Sequence, residues 1–587
     1  MAVITRTPTD PPRRPANAPY GDRYKWTVLS NTTLGMFMAT LDASIVLISL
    51  PAIFRGIHLD PLAPANVSYL LWLLMGYMVV TAVLVVTFGK LGDMFGRVRM
   101  YNGGFAVFTV ASIALSLTPG HGGSAAMFMI IMRVVQGIGG ALLMANSTAI
   151  LTDAFPVDQR GTALGISMIA GIAGSFIGLV LGGVLADVDW RLVFWVNVPF
   201  GVFGTVWAYL KLKEISKAHR GKLDVWGNIT FGVGLVLVLI GITYGIQPYK
   251  QHTMGWTGPW VLLELISGTA LLALFVAIEL RAEDPMFRLS LFGIRAFTAG
   301  NAANLLSAIG RGGVQFILIL WLQGIWLPQH GYNFEQTPLW AGIYMLPITA
   351  GFLLSAPISG FLSDKYGART FATGGMLTGA LSFVLLEALP ANFSYPVFAL
   401  VLLLNGIAFG LFAAPNTTAI MNSVPVRDRG AASGMSATFR NSGMVLSIGL
   451  FFSLMIVGLA SSLPRTLYSG LTAQGLDAHS ATSISHLPPV ALLFAAFLGY
   501  NPMKTILGPR LHSLSASAQA NVTGRSFFPH LISSPFMHGL RIAFTMSVGM
   551  CLVAAACSAL RGTPAVADDD AVPFDAADAV EAEVAPA

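Results

Sequence analysis

Long apolar segments separated by short polar ones follow one another along most of the chain. Most are at least about 20 residues long, which lets an α-helix cross the roughly 30 Å hydrocarbon layer. Because backbone groups in lipid need hydrogen-bond partners within their own segment, these segments are predicted to be helices. The pattern predicts an all-α polytopic membrane protein with fourteen spanning helices, over residues 27–51, 67–89, 99–118, 124–153, 161–187, 191–213, 224–247, 258–281, 295–326, 338–363, 370–391, 396–424, 430–462 and 537–562.

Composition agrees with a membrane protein. Hydrophobic residues make up 55% of the 587 residues and charged residues 10%, whereas soluble domains carry about 25% charged residues. The net charge of +6 is dispersed among loops, so we expect no nucleic-acid partner. Cys551 and Cys557 lie six positions apart on different helix faces and are predicted to pack, without a disulfide or a metal.

The positions of the basic residues predict the topology. Lys and Arg concentrate in the even-numbered connections, whereas the short odd-numbered ones hold only Arg55, Arg191 and Lys250. By the positive-inside rule both termini face the cytoplasm of a multi-pass plasma-membrane protein. Residues 1–25 lack the apolar core of a signal peptide and are predicted to form a cytoplasmic tail. Residues 563–587 are predicted to form a second, acidic one.

The chain contains an internal repeat. The run G-K-L-G-D-M-F-G-R-V-R at 89–99 returns as G-F-L-S-D-K-Y-G-A-R at 360–369, and Q-G-I-G-G-A-L-L-M-A-N-S-T-A-I from Gln136 is echoed from Asn405. The copies lie about 270 positions apart, which corresponds to eight helices at about 34 residues per helix and loop. The sequence therefore predicts two six-helix bundles, 26–213 and 291–562, with two additional helices and linkers in 214–290. Same-direction halves of this kind are typical of secondary transporters, with the substrate cavity between them.

The long external segment 463–536 interrupts the second half. Its apolar run Val490–Gly499 is too short to span a membrane, which predicts an interfacial or re-entrant element. A flexible outer loop with a hydrophobic patch is the equal alternative.

Ionisable residues deep in the membrane are the first functional candidates. No phosphate-binding loop of the Walker type occurs in the sequence, so an ion gradient is the expected energy source. In the first half only Asp42 and Arg133 lie deep in a predicted span, at similar depths, and we expect them to interact directly or through water. Burial favours a neutral carboxyl group and a nearby cation favours the charged one, so Asp42 could load and release a proton. The alternative is a permanently paired aspartate that fixes helix packing.

Two further features remain open to two interpretations each. In the second half, Arg311 and Arg440 could attract an anionic substrate or bond to backbone carbonyls. In helix five, glycines recur every four residues and make one smooth face for close helix approach, which could be packed or could slide during transport.

These motifs together resemble the major facilitator superfamily, and more narrowly its fourteen-helix drug:proton antiporters. The resemblance implies proton coupling through Asp42 and Arg133, and a cytoplasmic latch in which Asp93 bonds to a neighbouring helix terminus. In the antiporter motif of helix five Leu179 replaces the usual proline, which implies a weaker kink. The implied latch residues are Gly89, Asp93, Gly96, Arg97, Arg99, Asp364 and Arg369, and the glycine motif is Gly174, Gly178, Gly182 and Gly183.

The expected function is proton-coupled export of amphipathic or hydrophobic compounds by a monomer in the bilayer, with protons as co-substrate and no cofactor. The alternatives are an exporter of a lipid or endogenous metabolite, and more remotely a non-transporting receptor or scaffold. An enzyme is not expected, because neither a metal-ligand cluster nor a nucleophile–base pair stands out. Candidate cavity residues are Met38, Trp72, Tyr77, Asn304, Arg311, Gln315, Trp321 and Arg440.

Overall fold

Helices account for nearly all of the described chain. The computed structural model describes residues 21–60, 66–156, 159–215, 224–246, 249, 254–282, 285, 287–333, 336–425, 429–490, 492–493 and 501–562. Within these ranges fourteen helices are long and apolar enough to cross a membrane. They are α1 Arg23–Gly56, α2 Ser68–Phe95, α3 Arg97–Ser116, α4 Gly122–Ala154, α5 Ala163–Val188, α6 Leu192–Lys211, α7 Val225–Gly245, α8 Pro259–Glu279, α9 Arg295–Gln329, α10 Thr337–Ser363, α11 Ala368–Ala388, α12 Tyr395–Asn422, α13 Ala431–Thr472 and α14 Phe527–Ala559.

The same helix pairs pack together in both halves. In the first half α1 packs against α5, and α2 and α3 pack against α4; in the second α9 packs against α13, and α10 and α11 against α12. The close approaches recur as well: a Cβ added at Gly137 would lie 2.9 Å from the carbonyl oxygen of Tyr77, and one at Gly406 would lie 2.0 Å from that of Ile348. The sequence repeat is therefore also a repeat of helix packing.

The two additional helices, α7 and α8, pair with each other at the edge of the molecule. Helix α7 also contacts α2 and α13, where Thr243 Oγ1 lies 3.6 Å from Met75 Sδ and Ile242 packs against Gly449. Only 17% of the most apolar window of α8 is buried inside the protein. Most of α8 is thus left to face lipid.

The described residues between α13 and α14 form a small helical unit, which we call the outer domain (residues 473–490, 492–493 and 501–526). Its short helices are Ala478–Ser485, Met503–Leu507 and Ala516–Val522. The Asp477 carboxylate accepts a hydrogen bond from the backbone N–H of Ser480 (2.8 Å), which lowers the pKa of Asp477. Its interior is apolar and buried, and consists of Leu476, Ile484, Val490, Leu492, Leu493, Met503, Leu507, Leu514 and Val522.

This packing corrects two expectations. The described part of the apolar run, Val490, Leu492 and Leu493, is buried inside the outer domain, so there it is neither an interfacial or re-entrant element nor an exposed patch on a flexible loop; residues 491 and 494–500 lie outside the described ranges. Helices α13 and α14 each extend about ten residues further outward than predicted. Pro464 and Pro535 interrupt the apolar pattern, but packing between the two helices, with Gly470 against Leu531, continues the helical structure.

Candidate functional site

A fully buried ion pair lies inside the first bundle. Asp42, on α1, and Arg133, on α4, are 0% and 1% exposed, and Arg133 Nη1 donates to Asp42 Oδ2 over 2.5 Å. The two residues that the sequence predicts to interact are therefore in direct contact. Residues on the same stripe of α1 as Asp42 also face protein, since Asn31, Met38, Ile45 and Ser49 are all buried.

Further donors complete the coordination of the carboxylate. Asp42 Oδ1 accepts from Gln136 Nε2 and from Asn197 Nδ2, both over 2.9 Å. Gln136 lies three residues after Arg133, on the same face of α4, and its Nε2 also donates to Ser112 Oγ on α3 (2.9 Å). Asn197 comes from α6. One charged aspartate thereby links four helices of the same bundle.

The guanidinium is held from the opposite side. Arg133 Nε donates to the backbone oxygen of Leu73 (3.3 Å), and its Cζ lies 4.7 Å from the ring centroid of Tyr77. Both residues belong to α2. Breaking a buried, hydrogen-bonded pair leaves one charge without compensation. If Asp42 or Arg133 became neutral, the helices would therefore have to move, or water would have to enter, to solvate the remaining charge.

The predicted latch between α2 and α3 contains ion pairs centred on Arg97. Arg97 Nε donates to Asp93 Oδ1 (2.7 Å), and Arg97 Nη1 donates to both carboxylate oxygens of Asp153 at the end of α4 (2.7 and 2.6 Å). Among the described residues Asp93 bonds to Arg97 and not to a neighbouring helix terminus. The carboxylate at a helix N-terminus is that of Glu214, which accepts from the backbone N–H groups of Arg97 (2.8 Å) and Val98 (3.0 Å).

The other latch positions differ in how tightly they are packed. Gly96 has φ +106°, a conformation that favours glycine, and an added Cβ there would lie 2.8 Å from Glu214 Oε2. Gly89, in contrast, has open space around its Cα. Arg99 and Arg369 are exposed, and the side chain of Asp364 lies outside the described part of the structure.

The glycine face of α5 packs against α1. Cβ atoms added at Gly174, Gly178 and Gly182 would lie 2.5, 2.6 and 2.8 Å from backbone oxygens of α1. Gly183 instead meets the other half, where an added Cβ would lie 2.4 Å from Leu339 Cα of α10. Leu179, in place of the motif proline, is buried at that same contact, and α5 is helical throughout.

Burial divides the predicted cavity residues. Met38, Tyr77 and Trp321 are almost fully buried, so the expectation that they line an open cavity is wrong for this conformation. Their large side chains fill the bundles instead, with Trp321 packed on Phe393 and Phe398. The remaining predicted cavity residues are at least partly accessible, namely Trp72, Asn304, Arg311, Gln315 and Arg440.

Five polar residues that complete these sites were missed at the sequence level: Ser112, Gln136, Asn197, Asp153 and Glu214. A signal existed for the first three, because each is a polar residue inside an apolar span. Asp153 and Glu214 lie near helix ends, where charged residues are common, and nothing in their spacing marks them.

Fourteen spanning helices, a duplicated six-helix bundle and a buried charge pair define a polytopic transporter of the secondary type. The sequence profile of the Major Facilitator Superfamily matches residues 32–448, and the chain belongs to this superfamily. It is accordingly a multi-pass membrane transporter and not an enzyme.

Relatives of known name include exporters and a vitamin transporter. The chain is 28% identical to the tetracenomycin C resistance and export protein of Streptomyces glaucescens, over 90% of either chain. It is 29% identical to the riboflavin transporter RibZ of Clostridioides difficile (strain 630), over 73% of this chain and 88% of that one. Among solved structures, a bacterial homologue of the human lysosomal transporter Spinster aligns with a TM-score of 0.56 at 16% identity, covering 92% of this chain and 97% of that one.

Proposed function

We propose that this protein is a proton-coupled exporter of amphipathic or hydrophobic drug-like compounds, working by alternating access. It acts in the plasma membrane with both termini in the cytoplasm, as the distribution of Lys and Arg favours. The similarity to an antibiotic exporter along 90% of the chain supports export.

The buried Asp42 carboxylate is the observation that carries the proposal. Three side chains, Arg133, Gln136 and Asn197, donate hydrogen bonds to it. A proton bound by Asp42 would cancel the attraction to Arg133 and leave that cation without its counter-charge. Protonation would thus shift the equilibrium between two arrangements of α1 and α4.

A path of close packing leads from Asp42 to the interface between the halves. Helix α1 carries Asp42 and fits the glycine face of α5, and Ser49 Oγ of α1 donates to the backbone oxygen of Gly182 (2.9 Å). The outer end of α5 in turn packs against α10 of the second half. Movement of α1 on protonation would therefore reach the contact between Gly183 and Leu339 at the interface between the halves.

Proton release on substrate addition tests the proposal. Purified protein in detergent, in weakly buffered solution with a pH dye, should release protons when tetracenomycin C is added, because in an antiporter the bound drug displaces the bound proton. The variant Asp42→Asn should release none. The control Asp477→Asn, which keeps a capping residue on the outer domain, should release as many protons as the wild type. Equal release from Asp42→Asn would refute proton coupling through this residue.

Export of an endogenous metabolite is the second candidate, and the similarity to RibZ favours it. Riboflavin and tetracenomycin C should then be compared in proteoliposomes under the same imposed proton gradient. Gradient-driven movement of riboflavin alone would select the metabolite exporter, and movement of the antibiotic alone would select the drug exporter.

A further inference from the structure

Two arginines lie deep in the second half, and among the described residues neither has a counter-charge. Arg311 lies 16 residues into α9, and Arg440 lies nine residues into α13, which places them about 24 Å and 14 Å along their helices. Both are therefore far from the ends of membrane-spanning helices. Arginines at such depth are expensive and face the protein interior or a water-filled cavity.

Both arginines lie on the seam between α9 and α13. Asn304 Nδ2 of α9 donates to the backbone oxygen of Ser436 on α13 (3.1 Å). Arg311 follows Asn304 by seven residues and Arg440 follows Ser436 by four, so each shares a helix face with a residue of that contact. Further along the seam Gly443 meets Ala308 and Gly312 meets Met444, so the two arginines lie on the same stretch of it.

Neither arginine finds an acceptor. Among the described residues no carboxylate and no hydrogen-bond acceptor contacts either guanidinium. Arg311 Cζ lies over the rings of Phe352 and Phe409, 4.9 and 5.6 Å from their centroids, and the Arg440 side chain is exposed. Asn441, the next residue of α13, has a buried Nδ2 that also lacks an acceptor. The seam thus offers positive charge and N–H donors.

Arg311 is not the second-half counterpart of Asp42. The close approach of Gly174 to Thr40 is repeated by that of Gly443 to Ala308. In this register Asp42 corresponds to Gly310, and Arg311 corresponds to Ala43, one position further round the helix. The second half therefore lacks both the buried acid and its pairing, and its cation points in a different direction.

We infer that Arg311 and Arg440 form a subsite for an anionic group, a carboxylate, sulfonate or phosphate, on the transported compound. This inference rests on the proposed transport function and adds to it the charge of the substrate. A guanidinium pairs with such groups through two parallel hydrogen bonds, and the phenyl rings beside Arg311 suit an aromatic or apolar body. The paired acid in the first half and the unpaired cations in the second would then bind proton and substrate at separate places.

Two dyes on one xanthene scaffold test the charge. Binding of anionic carboxyfluorescein and cationic rhodamine 6G is measured by fluorescence anisotropy in phosphatidylcholine nanodiscs without a proton gradient. Carboxyfluorescein should bind to the wild type. Arg311→Gln and Arg440→Gln should each lower the affinity for this dye about tenfold or more, because each variant loses one charged hydrogen bond. Rhodamine 6G should be unaffected. The control Arg465→Gln, which removes an exposed charge further out on α13, should bind carboxyfluorescein as the wild type does.

Affinities of both variants within twofold of the wild type would overturn the inference, as would binding of rhodamine 6G alone. A structural role is distinguished by thermal unfolding without dye: removing an unpaired cation should leave the Tm unchanged or raise it, and a fall in Tm for both variants would also overturn the inference.

Phosphatidylglycerol in the nanodiscs separates two sources of the anion. Competition with the dye supports a lipid headgroup, and its absence supports a soluble compound. Because no gradient is imposed, these results do not depend on proton release by Asp42.

Discussion

The two halves share their packing but not their charges. The register set by Gly137 and Gly406 places Leu402 where the first half has Arg133, and Asn405 where it has Gln136. A buried ion pair in one bundle is thus replaced by an apolar residue in the other. The fold tolerates both because each version leaves no buried charge without a partner at that place.

The neutral part of the network is retained in both halves. Gln136 Nε2 donates to Ser112 Oγ over 2.9 Å in the first, and Asn405 Nδ2 donates to Ser382 Oγ over 2.8 Å in the second. This amide–hydroxyl link joins α3 to α4 and α11 to α12 without any charge. The comparison teaches that the link belongs to the shared scaffold, whereas the ion pair was kept or acquired in one half only.

The loops that follow α2 and α10 show the same difference. The loop register pairs Arg97 with Ala368, and the α4–α12 register pairs Asp153 with Asn422. The ion pair that connects α3 to α4 therefore has no equivalent between α11 and α12. The first half therefore holds both ion pairs, the buried one between Asp42 and Arg133 and the one between Arg97 and Asp153 near the helix ends.

The largest effect is expected when Arg133 is replaced by leucine, the residue that the second half has at the equivalent position 402. The variant Arg133→Leu leaves Asp42 buried and without its cation, and should lower the free energy of unfolding by about 3–5 kcal/mol. The measurement is an SDS titration in mixed detergent micelles, followed by circular dichroism. The double variant Asp42→Asn/Arg133→Leu carries no buried charge and should recover most of the loss.

Leu402→Met is the matched control in the second half, and should cost less than about 1.5 kcal/mol because volume is conserved. A loss below about 1 kcal/mol for Arg133→Leu, or no recovery in the double variant, would contradict the interpretation of the pair as mutually dependent.

A smaller effect is expected at the glycine face of α5. A Cβ at Gly178 would lie 2.6 Å from the backbone oxygen of Leu41, whereas one at Gly165 would meet open space. Gly178→Ala should therefore lower the free energy of unfolding by about 1–3 kcal/mol, the usual cost of overpacking. Gly165→Ala on the same helix should be neutral or stabilising, because Ala favours the helix. The same SDS titration applies, and equal values for the two variants would show that α1 moves aside without cost.

Much of the fold was predictable because the apolar segments are continuous in the sequence, and because the internal repeat can be recognised by comparing two short runs of residues. The contact between Asp42 and Arg133 followed from their matching depths. The outer domain was not predictable, since its helices of five to eight residues have no sustained period. The helix ends at Pro464 and Pro535 were misplaced for a related reason: contacts between α13 and α14 overrule local breaking signals.

Partners distant in the sequence also escaped prediction. Glu214 follows α6 and bonds to the first turn of α3, 117 residues away from Arg97. A carboxylate near a loop has many possible partners, and spacing does not select one. The same applies to Asp153, whereas Gln136 and Asn197 could have been recognised as polar residues within apolar spans.

The smallest effect concerns the caps of α3 and α11. Both helices follow a glycine with positive φ, Gly96 and Gly367, whose own backbone offers no capping side chain. In the first half the exposed carboxylate of Glu214 fills that role.

Glu214→Gln should lower the free energy of unfolding by about 0.5–1 kcal/mol at low salt, through the lost charge at the helix N-terminus, and by less at high salt, which screens an exposed charge. Arg369→Gln, at the equivalent exposed end in the second half, should stay within about 0.5 kcal/mol of the wild type under both conditions. Helix α11 has no described carboxylate cap. An effect of Glu214→Gln that did not change with salt would therefore mean that Glu214 acts on α3 through packing and not through charge. The electrostatic difference between the two latches would then depend on Arg97 and Asp153 alone.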